Sequence, residues 1–173
     1  MCLDCACGLP GDHVHHHPHE HPHTHEQRMG WRHLSLGEQL LSHNDDLAAA
    51  NRRHFADAGV TVINLLSSPG SGKTALLERM ARDWRPHLSM AVVVGDLATD
   101  NDARRLQAAG MAAVQITTGQ ACHLEAAMVQ RALAALAVLG VRLDALDLLV
   151  IENVGNLVCP AAFDLGEAHK VVV

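Results

Sequence analysis

Aromatic side chains are nearly missing: the 173 residues hold two Trp, two Phe and no Tyr. The core therefore has to be built from Ala, Leu and Val, within a composition that is 49% hydrophobic. Basic charge is scarce too, with 13 Lys+Arg against 19 Asp+Glu and a net charge of −6. Binding along a nucleic-acid backbone needs a broad cationic surface, so nucleic acid is not an expected partner. No apolar run approaches the roughly 18 to 20 residues of a membrane span. The start, Met1-Cys2-Leu3-Asp4-Cys5, has neither the basic nor the apolar region of a secretory signal. These absences predict a cytoplasmic protein with no membrane partner. The length suits one α/β domain of about 140 residues plus an arm, and not two full domains.

Cysteine and histidine run the other way. Five cysteines cannot all pair within one chain, and a reducing cytosol discourages pairing, so thiolate ligation is the leading expectation. Eight of the 14 histidines fall within residues 13–25. Residues 1–30 have almost no aliphatic periodicity and carry Pro10, Pro18 and Pro22, which predicts an arm that is disordered without metal. The remaining chain, 31–173, is expected to form the domain. Ser35-Leu36-Gly37-Glu38 reads as a capping box opening a helix, with Leu36, Leu40, Leu47 and Phe55 broadly on one face before Gly59.

From residue 60 onward, strand, loop and helix alternate. Strands are expected at 60–66, 91–94, 112–116 and 146–151, and helices at 74–84, 102–109 and 124–139. That order predicts an α/β fold, a mostly parallel, doubly wound sheet flanked by helices. Val171-Val172-Val173 reads as half of another strand without its pairing partners, which predicts a domain incomplete at its C-terminus.

After the first strand comes Ser67-Ser68-Pro69-Gly70-Ser71-Gly72-Lys73-Thr74. It matches the P-loop pattern except that Ser67 stands at the first glycine position. Ser68 to Thr74 would cradle phosphates: Gly70 and Gly72 let backbone N–H groups turn toward an anion, and the next helix adds its positive end. Lys73 would neutralise β- and γ-phosphate charge, and Thr74 would offer a hydroxyl to Mg2+. An ordinary glycine-rich turn would not require Lys-Thr directly after glycine. Asp96 and Glu152 close later strands, where either can reach Mg2+ directly or through water. Each can also be read as a helix cap or loop acid.

Cys2-x-x-Cys5-x-Cys7 can wrap one soft or borderline cation with the α-amine as a fourth ligand. A planar arrangement would suit Ni2+ and a tetrahedral one Zn2+; the alternative is a set of incidental cysteines. The run His13, His15, His16, His17, His19, His21, His23 and His25 offers imidazoles for loose Ni2+, Zn2+ or Cu2+ binding. Its interruptions by Pro18, Glu20, Pro22 and Thr24 are unlike an engineered tag. Cys122-His123 and Cys159 follow two strands at the carboxyl edge of the sheet. They can converge on one ion, or the cysteines can be small buried hydrophobes.

With Ser67 to Thr74, Gly95-Asp96, Thr118-Gly119-Gln120-Ala121-Cys122-His123-Leu124 and Ile151-Glu152-Asn153-Val154-Gly155-Asn156-Leu157-Val158-Cys159-Pro160 in view, the chain resembles the hydrogenase-maturation nickel-insertion GTPases, the HypB family. The likeness covers the terminal motif and residues 35–173. It implies a P-loop NTPase fold of the SIMIBI-type G domain, with GTP as substrate, GDP as product, and Mg2+, Ni2+ and Zn2+ as cofactors or cargo. By resemblance Cys2, Cys5 and Cys7 are high-affinity nickel ligands, and Cys122, His123 and Cys159 hold nickel or zinc in the G domain. Glu152-x-x-Gly155 stands where many GTPases have Asp-x-x-Gly, which makes Glu152 the candidate for Mg2+ coupling or water positioning. The family's guanine-reading Asn-Lys-x-Asp motif would follow Val173.

The resemblance implies a GTP-hydrolysing metallochaperone that supplies nickel to the large subunit of a nickel-iron hydrogenase. It would work with other maturation proteins and as a homodimer. A urease-type nickel-insertion GTPase shares the P-loop and the His-rich start but lacks the Cys-x-x-Cys-x-Cys terminus. A nickel storage protein with a passive core is the reading from a different class.

Overall fold

Leu36–Ala58 form α1, the first element of a computed structural model that describes residues 36–84, 86–97 and 100–173. The expected arm over 1–30, with Cys2, Cys5, Cys7 and the histidine run, lies outside the described residues. The inward stripe of α1 is Asn44, Ala48, Asn51 and Phe55, spaced as one face of a 3.6-residue helix. Leu40 was expected on that face and is instead 59% exposed. The cause is polar. Asn44 Nδ2 donates to the Asp164 carbonyl at 2.8 Å and its Oδ1 accepts the Ala126 N–H at 2.9 Å. Asn51 Nδ2 donates to the carbonyls of Ala126 and Leu165, each at 3.0 Å. The two amides satisfy backbone groups that would otherwise be buried unpaired, which fixes the rotation of the helix.

The elements that follow are β1 (Thr61–Leu66), α2 (Lys73–Trp84), β2 (Met90–Asp96), α3 (Asn101–Ala108), β3 (Ala112–Thr117), α4 (Ala126–Val138), a 3-10 turn at Leu143–Ala145, β4 (Leu148–Glu152), α5 (Cys159–Ala162) and β5 (His169–Val172). The described strands make one five-stranded sheet in the order β3-β2-β4-β1-β5. Every strand pairing is parallel, which requires the crossover connections that the intervening helices supply.

Alternate residues along each strand feed the two faces. Val93, Leu149 and Ile151 meet Phe55 of α1 and Val129 and Leu136 of α4 on one side. Val92, Val94 and Val150 meet Leu77 of α2 and Leu106 of α3 on the other. Each fully buried Leu or Val stabilises by about 1.5–3 kcal/mol, so a mainly aliphatic core with Phe55 as its buried aromatic suffices.

The expectation that the terminal valines lack a partner needs correction. β5 pairs with β1, with Ile63 opposite His169 and Leu66 opposite Val172. The edge of β1 not used by β4 was available, and the Ala168 N–H donates to the Val62 carbonyl at 2.8 Å to start the ladder. The parallel arrangement sends the loops after β1, β2, β3 and β4 out at one carboxyl edge. In sheets of this kind that edge is where ligands bind.

Candidate functional site

The loop after β1 is a cradle. Gly70 and Gly72 have φ of 72° and 94°, a left-handed conformation that side chains resist. α2 begins immediately at Lys73, so its free N–H groups and positive end face the same concavity. Lys73 is buried, and its Nζ donates to Ser67 Oγ at 2.7 Å. Ser67, the departure from the expected glycine, is fully buried and donates onward to the Ser68 carbonyl at 2.8 Å. It is a seat for the P-loop lysine.

Thr74 Oγ1 donates to Glu152 Oε1 at 2.8 Å, which joins the start of α2 to the end of β4. Burial pushes the Glu152 carboxyl up to about 7, helped by the charge of Asp102 and opposed by the Thr74 hydrogen bond and by Lys73 and Arg105. Its Oε2 is buried without a hydrogen-bond partner among the described residues. A cavity of about 300 Å³ is lined by Gly70 to Ala75, Asp102, Arg105 and Glu152.

Asp96 ends β2 and accepts the Leu97 N–H on Oδ1 at 2.8 Å. It is not among the residues lining that cavity; Asp102, from the first turn of α3, is. Arg105 holds Asp102 in place: its Nη1 donates to Asp102 Oδ1 at 3.1 Å, and its Nε and Nη2 reach the two oxygens of Glu78 at 2.9 and 3.1 Å. Asp102 and Arg105 escaped the sequence reading. Their i, i+3 spacing in the helix after a P-loop partner strand was the available signal.

The loops after β3 and β4 build a second cluster. Cys122, His123 and Cys159 bring their ligand atoms within 4.8 Å of one another, and Cys122 Sγ lies 3.8 Å from His123 Nδ1. Neither cysteine is fully buried, so the reading as small hydrophobes loses its main support. The Phe163 ring stacks on His123 at 3.8 Å and 24°, and the buried Nε2 of His123 has no hydrogen-bond partner among the described residues. The neighbouring Cys159 pushes the Cys122 thiol up, first through its hydrogen bond, then with burial and charge; a hydrogen bond with the Asn156 side chain works the other way. Two sulfurs and an imidazole form a soft-to-borderline donor set suited to nickel or zinc. Phe163 and Asn156 could not be found from ligand spacing.

One loop connects the two places. It leaves Glu152, packs Gly155 against Pro69, makes an antiparallel bridge between Asn156 and Ser67, and ends at Cys159.

A strand, a glycine cradle with a buried lysine, and a threonine paired to the acid of a neighbouring strand define a P-loop nucleotide-binding protein. Residues 61–170 match the family described as CobW/HypB/UreG, nucleotide-binding domain. The chain belongs to that family, and the HypB likeness carried by its motifs is borne out by its relatives. The hydrogenase maturation factor HypB of Rhizobium leguminosarum bv. viciae is 54% identical over 142 residues, which are 82% of this chain and 46% of that protein. The hydrogenase/urease maturation factor HypB of Helicobacter hepaticus is 47% identical over 81% of this chain and 57% of its own. HypB from Helicobacter pylori, solved in complex with nickel, superposes with a TM-score of 0.71 at 48% identity, over 75% of this chain and 59% of that one. The chain thus spans about half the length of the curated relatives it matches. No helix among the described residues is long and apolar enough to cross a membrane.

Proposed function

We propose that this chain is the nucleotide-binding part of a nickel metallochaperone that hydrolyses GTP and uses the nucleotide state to hold or release Ni2+ for hydrogenase maturation. The observation that carries the reading is the loop from Glu152 to Cys159. It begins at the acid bonded to Thr74, rests on the P-loop, and ends in the Cys122, His123 and Cys159 cluster.

In this reading the amides of Gly70 to Thr74 receive the phosphates, and Lys73 leaves Ser67 to meet the β- and γ-phosphate oxygens. A Mg2+ ion arriving with the nucleotide would neutralise phosphate charge; Thr74 and Glu152 would hold it, Asp102 at the same cavity would assist, and Asp96, outside the cavity lining, would act only through water. Loss of the γ-phosphate removes a partner for the Glu152 segment, and the displacement reaches Cys159 through seven residues. Nickel is the cargo of the core cluster, and zinc is a competing occupant.

Cys2, Cys5 and Cys7 are proposed as the tight nickel site and His13 to His25 as a reserve of weaker ones. The hydrogenase large subunit is the proposed recipient, in the cytoplasm, with other maturation proteins and a second copy of the full-length chain as partners. Relatives named hydrogenase/urease maturation factors favour urease as a second recipient.

The test is titration with Ni2+ and with Zn2+ in the presence of GDP and of a non-hydrolysable GTP analogue. Coupling of about 1 to 3 kcal/mol gives a roughly 5- to 150-fold difference in core-site affinity between the two states, with the same factor in nucleotide affinity. Lys73→Ala removes that difference by removing tight nucleotide binding. Equal affinities in both states would refute the switch and leave storage as the better reading.

A further inference from the structure

Asn153 follows Glu152 directly and is 1% exposed. A buried amide is costly unless its donors and acceptor are used, and Asn153 uses them on three separate segments. Its Oδ1 accepts the Leu124 N–H at 3.2 Å and the Val154 N–H at 2.9 Å. Its Nδ2 donates to Asn64 Oδ1 on β1 at 3.1 Å. Asn64, itself fully buried, donates to Glu167 Oε1 at 3.2 Å, and Glu167 Oε2 accepts the Leu165 N–H at 2.7 Å.

The network ties together segments that border the cysteine–histidine cluster. Leu124 is the residue after His123, and its N–H precedes α4, where no carbonyl of the helix can take it. Val154 opens the loop that ends at Cys159. Leu165 is two residues past Phe163, whose ring lies on His123.

The ligand atoms come from two loops, and metal–ligand bonds of about 2.0 to 2.3 Å leave little tolerance in how those loops sit. We propose that Asn153 is a positioning residue for the Cys122, His123 and Cys159 cluster. It fixes the loop bearing Cys122 and His123 against the loop bearing Cys159, and holds both in register with Glu152. The inference rests on the reading of the cluster as a metal site.

The experiment uses the chain with Cys2, Cys5 and Cys7 changed to serine, so that thiolate-to-metal absorption on adding Co2+ reports Cys122 and Cys159. Asn153→Ala should weaken Co2+ binding by about 10- to 100-fold, as loss of groups that orient metal ligands does, and should lower the absorption per bound ion. Asn153→Asp keeps the acceptor for Leu124 and Val154 and should restore most of both. Leu136→Ala, a cut in the core under the same helix, should lower the melting temperature while leaving affinity and spectrum unchanged. If Asn153→Ala binds Co2+ like the parent, or loses no more than Leu136→Ala, the positioning role is wrong. If the parent develops no thiolate absorption, the metal reading itself fails and takes the positioning role with it.

Discussion

A Cβ built on Gly155 would lie 3.0 Å from the Cα of Pro69, so the loop that carries Cys159 rests on the backbone of the phosphate cradle. Proline leaves that backbone little room to give way. Gly155→Ala should therefore shift the P-loop, cost about 1–3 kcal/mol of stability, and weaken nucleotide binding by roughly tenfold. Thermal melts and nucleotide titration on the same variant check both. A variant that binds nucleotide normally would show that the contact transmits nothing.

Lys73 Nζ donates to Ser67 Oγ at 2.7 Å, a bond that competes with the phosphates for the ammonium in the proposed reaction. Ser67→Gly restores the usual P-loop residue and removes the seat. The free protein should lose about 1.5–3 kcal/mol, as for a charge-assisted hydrogen bond, while nucleotide affinity should rise because Lys73 no longer has a bond to give up. Comparing melting temperatures with and without saturating nucleotide separates the two effects. Weaker nucleotide binding in this variant would mean that Ser67 shapes the cradle and does not merely hold the lysine.

Glu152 gives a pH signature. Its folded-state value is raised from 4.5 to about 7 by burial, so the folded protein binds a proton more tightly than the unfolded chain. Stability from this group is complete below about pH 4.5, falls as pH rises toward 7, and is level above that. The fall is about 3–3.5 kcal/mol for a shift of this size. Glu152→Gln should flatten the denaturant-derived stability of the nucleotide-free protein between pH 4.5 and 7.5. An unchanged slope in the Gln variant would assign the titration to other groups.

Motifs that are local in sequence were legible before the fold was known. Ser67 to Thr74 specified its own turn, and alternating apolar runs located β1 to β4 within a few residues. Polar residues that serve distant backbone were not legible. Asn44 and Asn51 look like exposed helix positions, yet they are buried because Ala126, Asp164 and Leu165 need their amides. Asp102 lines the cavity beside the P-loop and Asp96 does not, because α3 is placed by Arg105 and Glu78, a pairing 27 residues apart in the chain. The convergence of Cys122, His123 and Cys159 depended on the strand order, which spacing cannot supply.

Asn51 tests whether backbone satisfaction orients α1. Asn51→Leu would suit a hydrophobic stripe on α1, but it strands the carbonyls of Ala126 and Leu165 beside an added apolar group. It should destabilise the protein by about 2–4 kcal/mol, measured by chemical denaturation. A neutral or stabilising result would mean that the hydrophobic pattern, and not backbone satisfaction, sets the rotation of α1.

Arm and core should bind metal independently. Cys122, His123 and Cys159 follow β3 and β4, and the groups around them, Asn153, Asn156, Phe163 and the sheet, all lie after residue 36. A chain lacking residues 1–30 should keep one metal ion at Cys122, His123 and Cys159, with nucleotide affinity unchanged. The full chain should bind further Ni2+ ions, and those on His13 to His25 should leave as imidazoles protonate through about pH 6 to 7. Equilibrium dialysis at pH 7.5 and 5.5, on both chains and on Cys5→Ala, counts the ions at each place. If Cys5→Ala also emptied the core cluster, the two sites would be one, and the core geometry would not be sufficient to hold its own ion.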